Sequence, residues 1–185
     1  MKNVFVFEKI EKCDENLLPP SRKLKVEKLS SEKDKIASAF EYFFIKEKLG
    51  LADGQDFEYT KNGRPFVSGK RDFSITNSNV LCVAIFDDGI IGGVDAEFVR
   101  EYEPSFAKMI CNDKEIKQIE DANDKNVEFT KFFTMKEAAL KCLDLNINVE
   151  LKSIIKKDMK FETEIKKIAS EKRFLVISKC EKKKN

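Results

Sequence analysis

Residues 80–97 read VLCVAIF-DDG-IIGGVDAE, and this stretch decides the fold. Val80–Phe86 is an unbroken apolar run of strand length, Asp87-Asp88-Gly89 carries a turn signal, and Ile90–Val94 is a second apolar run. The pattern predicts two strands paired through a tight turn. The second run leads into Asp95-Ala96-Glu97. Successive strand side chains alternate between faces, so Asp95 and Glu97 share one face and Ala96 takes the other. Two carboxylates side by side repel unless a proton or cation intervenes. Magnesium commonly takes one or two protein carboxylates and completes its shell with phosphate and water. A D-x-E is also compatible with a plain polar strand edge, so it gains weight only beside other residues.

Upstream, Asn3–Phe7 reads as a first strand, and the two prolines of LLPPSR (Leu17–Arg22) mark a break before a helical stretch. Ile36, Phe40, Phe43, Phe44 and Leu49 recur at helical spacing behind Ser31, a capping residue, and Gly50 is a natural stop. Ala52–Gly69 is a polar, turn-rich loop containing Asn62-Gly63-Arg64-Pro65-Phe66, and Asp72–Thr76 is a short strand. Downstream, helices are predicted at Pro104–Cys111, Asp113–Asp121 and Val127–Leu143. Strands follow at Val149–Ile155, Lys160–Ile165 and Arg173–Ser178, and the lysine-rich tail reads as a frayed end. The fold class is α+β. The order permits two α+β halves, residues 1–98 and 99–185, packed together without a flexible linker.

Composition narrows the chemistry. The 185 residues include 35 Lys and Arg against 33 Asp and Glu, a formal charge of +2, so no global basic field for nucleic acid is present. No apolar run reaches the roughly 18 residues of a membrane span, and Glu8 and Lys9 interrupt the N-terminal apolar patch of a would-be secretory signal. Five cysteines, an odd number without a C-x-x-C pair, read as buried or idle reduced thiols of a cytoplasmic protein. There is no histidine. That excludes Ser-His-Asp and Cys-His catalysis and leaves carboxylates, lysines, hydroxyls or a hard metal.

Three more groups could do such chemistry. On the third predicted downstream helix, Phe129, Phe132, Phe133, Leu140 and Leu143 form an apolar stripe, and Lys136 falls within it. A lysine there needs an anionic partner or a route to water. Glu137 and Lys141, four apart at the margin, are surface neighbours and would form an ordinary helix salt bridge. Gly63-Arg64-Pro65 is either a turn or a guanidinium held on stiff backbone for a phosphate. Thr76-Asn77-Ser78-Asn79 is either a polar turn or a run of side-chain donors.

Taken in order and spacing, these groups resemble the 4′-phosphopantetheinyl transferases of the Sfp type. That family shows G-K-P, S-H-S, G-I-D-I-E and W-x-x-K-E-x-x-x-K. Here they stand as Gly63-Arg64-Pro65, Thr76-Asn77-Ser78, Gly93-Val94-Asp95-Ala96-Glu97 and Phe133-Thr134-Met135-Lys136-Glu137-Ala138-Ala139-Leu140-Lys141. The resemblance implies two similar halves related by a pseudo-two-fold, with coenzyme A as substrate in the cleft between them. It implies Mg2+ held by Asp95, Glu97 and Glu137, with Glu137 and Lys141 as catalytic residues. Arg64 and Pro65 would lie near the adenine-phosphate end, Thr76, Asn77 and Ser78 would contact phosphate, and Lys136 and Lys141 would face phosphate or the leaving group. Glu115 matches a further family acid, and Arg22, Lys25 and Lys35 are candidates for the 3′-phosphate. The implied partner is an acyl or peptidyl carrier protein, with no nucleic acid and no membrane, and the implied state is monomeric. Asn77 stands where the family has histidine and Phe133 where it has tryptophan. Asp144-Leu145-Asn146 replaces a glycine turn, with Asn146 able to take the left-handed conformation.

Overall fold

The computed structural model describes residues 1–78, 80–146 and 150–184. In chain order it runs β1 (Val4–Phe7), α1 (Pro20–Glu27), α2 (Glu32–Leu49), β2 (Glu58–Tyr59), β3 (Pro65–Phe66), β4 (Phe73–Asn77) and β5 (Leu81–Ile85). It continues with β6 (Ile90–Phe98), α3 (Pro104–Ile110), α4 (Asp113–Asp121), α5 (Lys125–Leu143), β7 (Lys160–Ile168) and β8 (Arg173–Lys183). The described residues thus form a mixed α+β fold of five α-helices and small antiparallel sheets. The sheets have strand orders β1-β5-β4, β2-β3 and β6-β8-β7. Both three-stranded sheets place their first strand beside their third and their third beside their second, and each has its long helix between the first and second strands.

The unbroken apolar run at Val80–Phe86 has a different meaning from the expected hairpin. Leu81, Val83 and Ile85 pack into the core under α2, with Tyr42, Ile45, Phe57 and Phe73. Val80, Cys82, Ala84 and Phe86 face the other way, onto Val94, Ala96 and Phe98 of β6 and Leu175 and Ile177 of β8. A strand buried on both faces loses its polar alternation. β5 is therefore the central strand of one sheet stacked on the other. β6 is hydrogen-bonded to β8 along its whole length, from Ile90↔Lys183 to Phe98↔Leu175, and not to β5. The turn Asp87–Gly89 carries the chain from one sheet to the next, with Gly89 at φ 75°.

The adjacent glycines of β6 face opposite ways and set two close approaches. A Cβ on Gly92 would lie 2.1 Å from the Phe86 ring, and one on Gly93 would lie 2.0 Å from the Ala138 carbonyl oxygen and 2.7 Å from the Cys142 nitrogen. Without those side chains, α5 rests its backbone on β6. Ala138, Ala139 and Cys142 then close a further core with Cys180, Ile154 and Met159.

Other local expectations need correction. Pro20 is the first residue of a helix that the sequence reading did not separate from α2, and Pro19 stands at its cap with no side-chain hydrogen bond there. Ser31 and Gly50 do bound α2, Ser31 Oγ accepting from the Asp34 N–H and Gly50 at φ 60°. The Ala52–Gly69 loop contains the β2–β3 pair. The expected strand Val149–Ile155 begins at a residue outside the described ones, and Leu151–Ser153 is a 3-10 turn. The lysine-rich tail is strand as far as Lys183, because β6 pairs with it that far. At the end of α5 the left-handed residue is Asp144 (φ 52°), not Asn146. The five cysteines are free, four of them buried. No helix among the described residues is long and apolar enough to cross a membrane.

Gly93→Ala forces a backbone carbonyl and a helix to move, whereas at Gly92 only the end of a ring must give. Gly93→Ala is expected to lower unfolding free energy by about 2–4 kcal/mol, more than Gly92→Ala. Urea denaturation of both variants checks the order; a neutral Gly93→Ala would show that α5 does not rest on β6.

Candidate active site

The two sheets meet along a seam made by side chains. On β4 and its approach, Asp72, Ser74, Thr76 and Ser78 alternate with Phe73, Ile75 and Asn77. The apolar Phe73 and Ile75 turn into the α2 core. The polar set faces β6. Asp72 Oδ2 accepts the Gly92 N–H at 2.9 Å, and Ser74 Oγ accepts the Val94 N–H at 3.1 Å. Thr76 Oγ1 donates to Asp95 Oδ1 at 3.0 Å, and Ser78 Oγ donates to Glu97 Oε1 at 3.0 Å.

Asp95 is the centre of this seam. It is 4% exposed. Its Oδ1 accepts from Thr76 and from Lys141 Nζ at 2.8 Å, and Lys141 Nζ also reaches the Val94 carbonyl at 3.0 Å. Its Oδ2 is buried without a partner. Lys141 thus serves Asp95, and the sequence reading of a Glu137–Lys141 salt bridge does not describe it. Burial pushes the Glu137 carboxyl above the ordinary 4.5, the charge of Asp95 adds to the rise, and Lys141 opposes it. Burial raises Glu97 in the same direction, against the Ser78 hydrogen bond, and Asp95 adds to it. Glu97 and Glu137 therefore both feel the charge of Asp95.

Among the described residues, no three His, Cys, Asp or Glu side chains are already gathered around one ion position. The donor chemistry nevertheless suits a hard cation. The available donors are oxygens only, one of them buried and unpartnered, and two neighbouring carboxyls are raised by burial first and by the charge of Asp95 second. Asp95, Glu97 and Glu137 are the residues that could hold it, with outside oxygens completing the shell.

Beside the seam lies a cleft of about 340 Å³, lined by Lys25, Arg64, Thr76, Asn77 and Lys141 and also by the acids Glu41 and Asp144. It brings together side chains from α1, α2, the Asn62–Pro65 loop, β4 and the end of α5. Asp95 is one hydrogen bond behind it, through Thr76 and Lys141. Asn77 is exposed there.

Other sequence candidates have protein partners. Arg64 is a clamp. It is ion-paired with Asp72, and its guanidinium donates to the Lys141 carbonyl at 2.7 Å and the Gly92 carbonyl at 2.7 Å. It ties the loop to β4, to β6 and to the C-terminal end of α5, where carbonyls lack helical partners. Arg22 is fully buried against Glu41, Ser38 and Tyr59 and stacks over Phe57 at 5.0 Å, with its Nε unpartnered. Lys25 also reaches Glu41, at 3.5 Å. Lys35, half-buried in the first turns of α2, does not line the cleft.

Lys136 has the anionic partner its place on the apolar stripe demanded. It is 1% exposed, with Nζ 2.9 Å from Glu115 Oε2 and 3.0 Å from the Leu151 carbonyl. Glu115 also accepts the Asn112 N–H in the capping box of α4. Both residues are engaged in tying α4 to α5, away from the cleft lining.

Sequence reasoning missed Asp72, Ser74 and Glu41. The period-two polar alternation from Asp72 to Ser78 would have found the first two. Nothing local marks Glu41, which lies on the same helix face as Ser38 and Ile45.

The fold and site define a class: an α+β protein whose two three-stranded sheets meet along an acidic, lysine-flanked seam beside a polar cleft. Residues 92–179 match the family model of the 4′-phosphopantetheinyl transferase superfamily. The matched segment runs from β6 into β8. It carries Asp95, Glu97, Glu115, Lys136, Glu137 and Lys141, but not Arg64 or Thr76–Ser78. No curated protein matches the chain.

Removing Arg64 strands a buried carboxylate, since burial already raises Asp72 and Arg64 opposes that rise. Arg64→Ala is expected to cost about 3–5 kcal/mol of stability, and Arg64→Lys to recover only part, because a lysine cannot serve these acceptors as a fork. Thermal denaturation of both tests this; a stable Arg64→Ala would mean that the clamp is not structural.

Proposed function

We propose that this protein is a Mg2+-dependent 4′-phosphopantetheinyl transferase of the Sfp type. It moves the phosphopantetheine arm of coenzyme A onto a serine of an acyl or peptidyl carrier protein and releases 3′,5′-ADP. The observation that carries this reading is the unpartnered, buried oxygen of Asp95, flanked by Glu97, Glu137 and Lys141 on the segment that matches the superfamily. The repeated first-third-second strand order supports two similar halves related by a pseudo-two-fold. We place their division at the Asp87–Gly89 turn and not at residue 98, since β6 pairs with β8. The reading takes the chain as a cytoplasmic monomer.

Asp95, Glu97 and Glu137 would hold Mg2+, which when bound supplies positive charge against the pyrophosphate of coenzyme A. Lys141, at the cleft and 2.8 Å from Asp95, adds charge where negative charge develops on phosphoryl oxygens. The carrier serine oxygen forms a bond to the β-phosphorus, and the bond from that phosphorus to the departing 3′,5′-ADP breaks. The serine proton goes to Glu137. Lys25, Pro65, Asn77 and the rim of the cleft would receive the nucleotide end. Arg64, Arg22 and Lys136 would act chiefly by holding the scaffold, since their charges meet Asp72, Glu41 and Glu115.

A second reading, a non-catalytic relative that binds coenzyme A or a carrier protein, is favoured by Asn77. A neutral amide lines the cleft where the resembled family has histidine.

Incubation with coenzyme A, magnesium and an apo carrier protein, followed by intact mass spectrometry, separates the two. The carrier is expected to gain one phosphopantetheine, with the gain abolished by EDTA and slowed about 100-fold or more in Glu137→Ala. Coenzyme A binding without transfer to any carrier would leave the non-catalytic reading standing.

A further inference from the structure

Thr76 lines the cleft and Ser78 follows it two residues on, yet both point their hydroxyls at carboxylates. They belong to a side-chain ladder of four rungs. Asp72 and Ser74 take backbone N–H groups of β6, and Thr76 and Ser78 hold the side chains of Asp95 and Glu97. Ser74 and Thr76 lie on one face of β4, and Asp72 and Ser78 continue the two-residue spacing just before and just after it, so register is shared down the ladder. The upper rungs fix where β6 lies along β4. The lower rungs then fix the two acids.

The Thr76 rung is the most constrained. Thr76 is 8% exposed and Asp95 is 4% exposed. Asp95 Oδ1 is saturated by Thr76 and Lys141, which leaves Oδ2 as the single oxygen of that carboxylate without a partner. An aspartate with both oxygens free could rotate about its last side-chain bond. One with Oδ1 held from two directions presents Oδ2 in a set orientation.

We infer that Thr76 and Ser78 are positioning residues, which act through Asp95 and Glu97 by orienting their free oxygens toward a divalent cation, and are not phosphate contacts. The inference rests on the transferase reading, in which those acids hold Mg2+. It assigns cation affinity to a strand that supplies no ligand.

Calorimetric titration of coenzyme A at graded magnesium and in EDTA tests it, using wild type, Thr76→Val, Thr76→Ser and Ser78→Ala. In the wild type, magnesium strengthens coenzyme A binding. Thr76→Val keeps the shape but removes the donor, and is expected to raise the half-saturating magnesium about tenfold, a larger effect than it has on affinity in EDTA. Thr76→Ser restores the wild-type magnesium dependence. Ser78→Ala shifts it in the same direction and, at the half-buried end of the ladder, carries the test if Thr76→Val fails to fold. If Thr76→Val or Ser78→Ala instead weakens binding in EDTA and leaves the magnesium dependence alone, the hydroxyls are phosphate contacts and the ladder is overturned. If magnesium does not strengthen coenzyme A binding by the wild type, the transferase reading falls first, and the inference with it.

Discussion

A carboxylate taken out of water must be paired or pay several kcal/mol, and Asp95 is paired on only one of its two oxygens. Much of the structure answers that constraint. Lys141 crosses from α5 to supply the countercharge, and reaches because Gly93 lets the helix backbone settle on β6. Thr76 comes from the other sheet. The site is therefore a product of the interface between the sheets, and neither sheet alone could build it.

Arg64 secures the same interface at its far end. The seam begins with Asp72, which accepts from Gly92 and pairs with Arg64, and Arg64 in turn holds the last carbonyls of α5. The clamp and the ladder thus converge on the helix that carries Glu137 and Lys141. Buried pairs elsewhere, Lys136 with Glu115 and Arg22 with Glu41, do comparable work for α4 and α1. The cleft's remaining cations are paired as well, Lys25 with Glu41 and Lys141 with Asp95, but Lys141 is still 30% exposed at the cleft.

Much of the local structure was legible in the sequence because the signals were local. The caps at Ser31 and Gly50, the helical stripe of α5 and the need of Lys136 for an anion all rest on residues within a few turns. Strand pairing was not legible in that way. Val80–Phe86 and Ile90–Val94 read as a hairpin because a turn signal joins them, but turn chemistry cannot say whether two strands share a ladder or face each other across a core. The apolar continuity of Val80–Phe86 was the better clue, since a solvent-facing hairpin strand would alternate. At the site, Asp95 and Glu97 were legible as a same-face pair. Their partners were not, because Lys141 and Thr76 approach from 46 and 19 residues away in sequence. Asp144 took the left-handed turn expected of Asn146 because α5 ends one residue before it.

The most direct test of the central claim is a crystal structure of the protein with coenzyme A and manganese, using anomalous scattering to find the metal. The account predicts one strong anomalous peak at coordination distance from Asp95 Oδ2, with pyrophosphate oxygens completing its shell and the nucleotide running along the cleft past Lys25 and Asn77. A metal bound elsewhere, or coenzyme A seated away from the seam between the sheets, would contradict it.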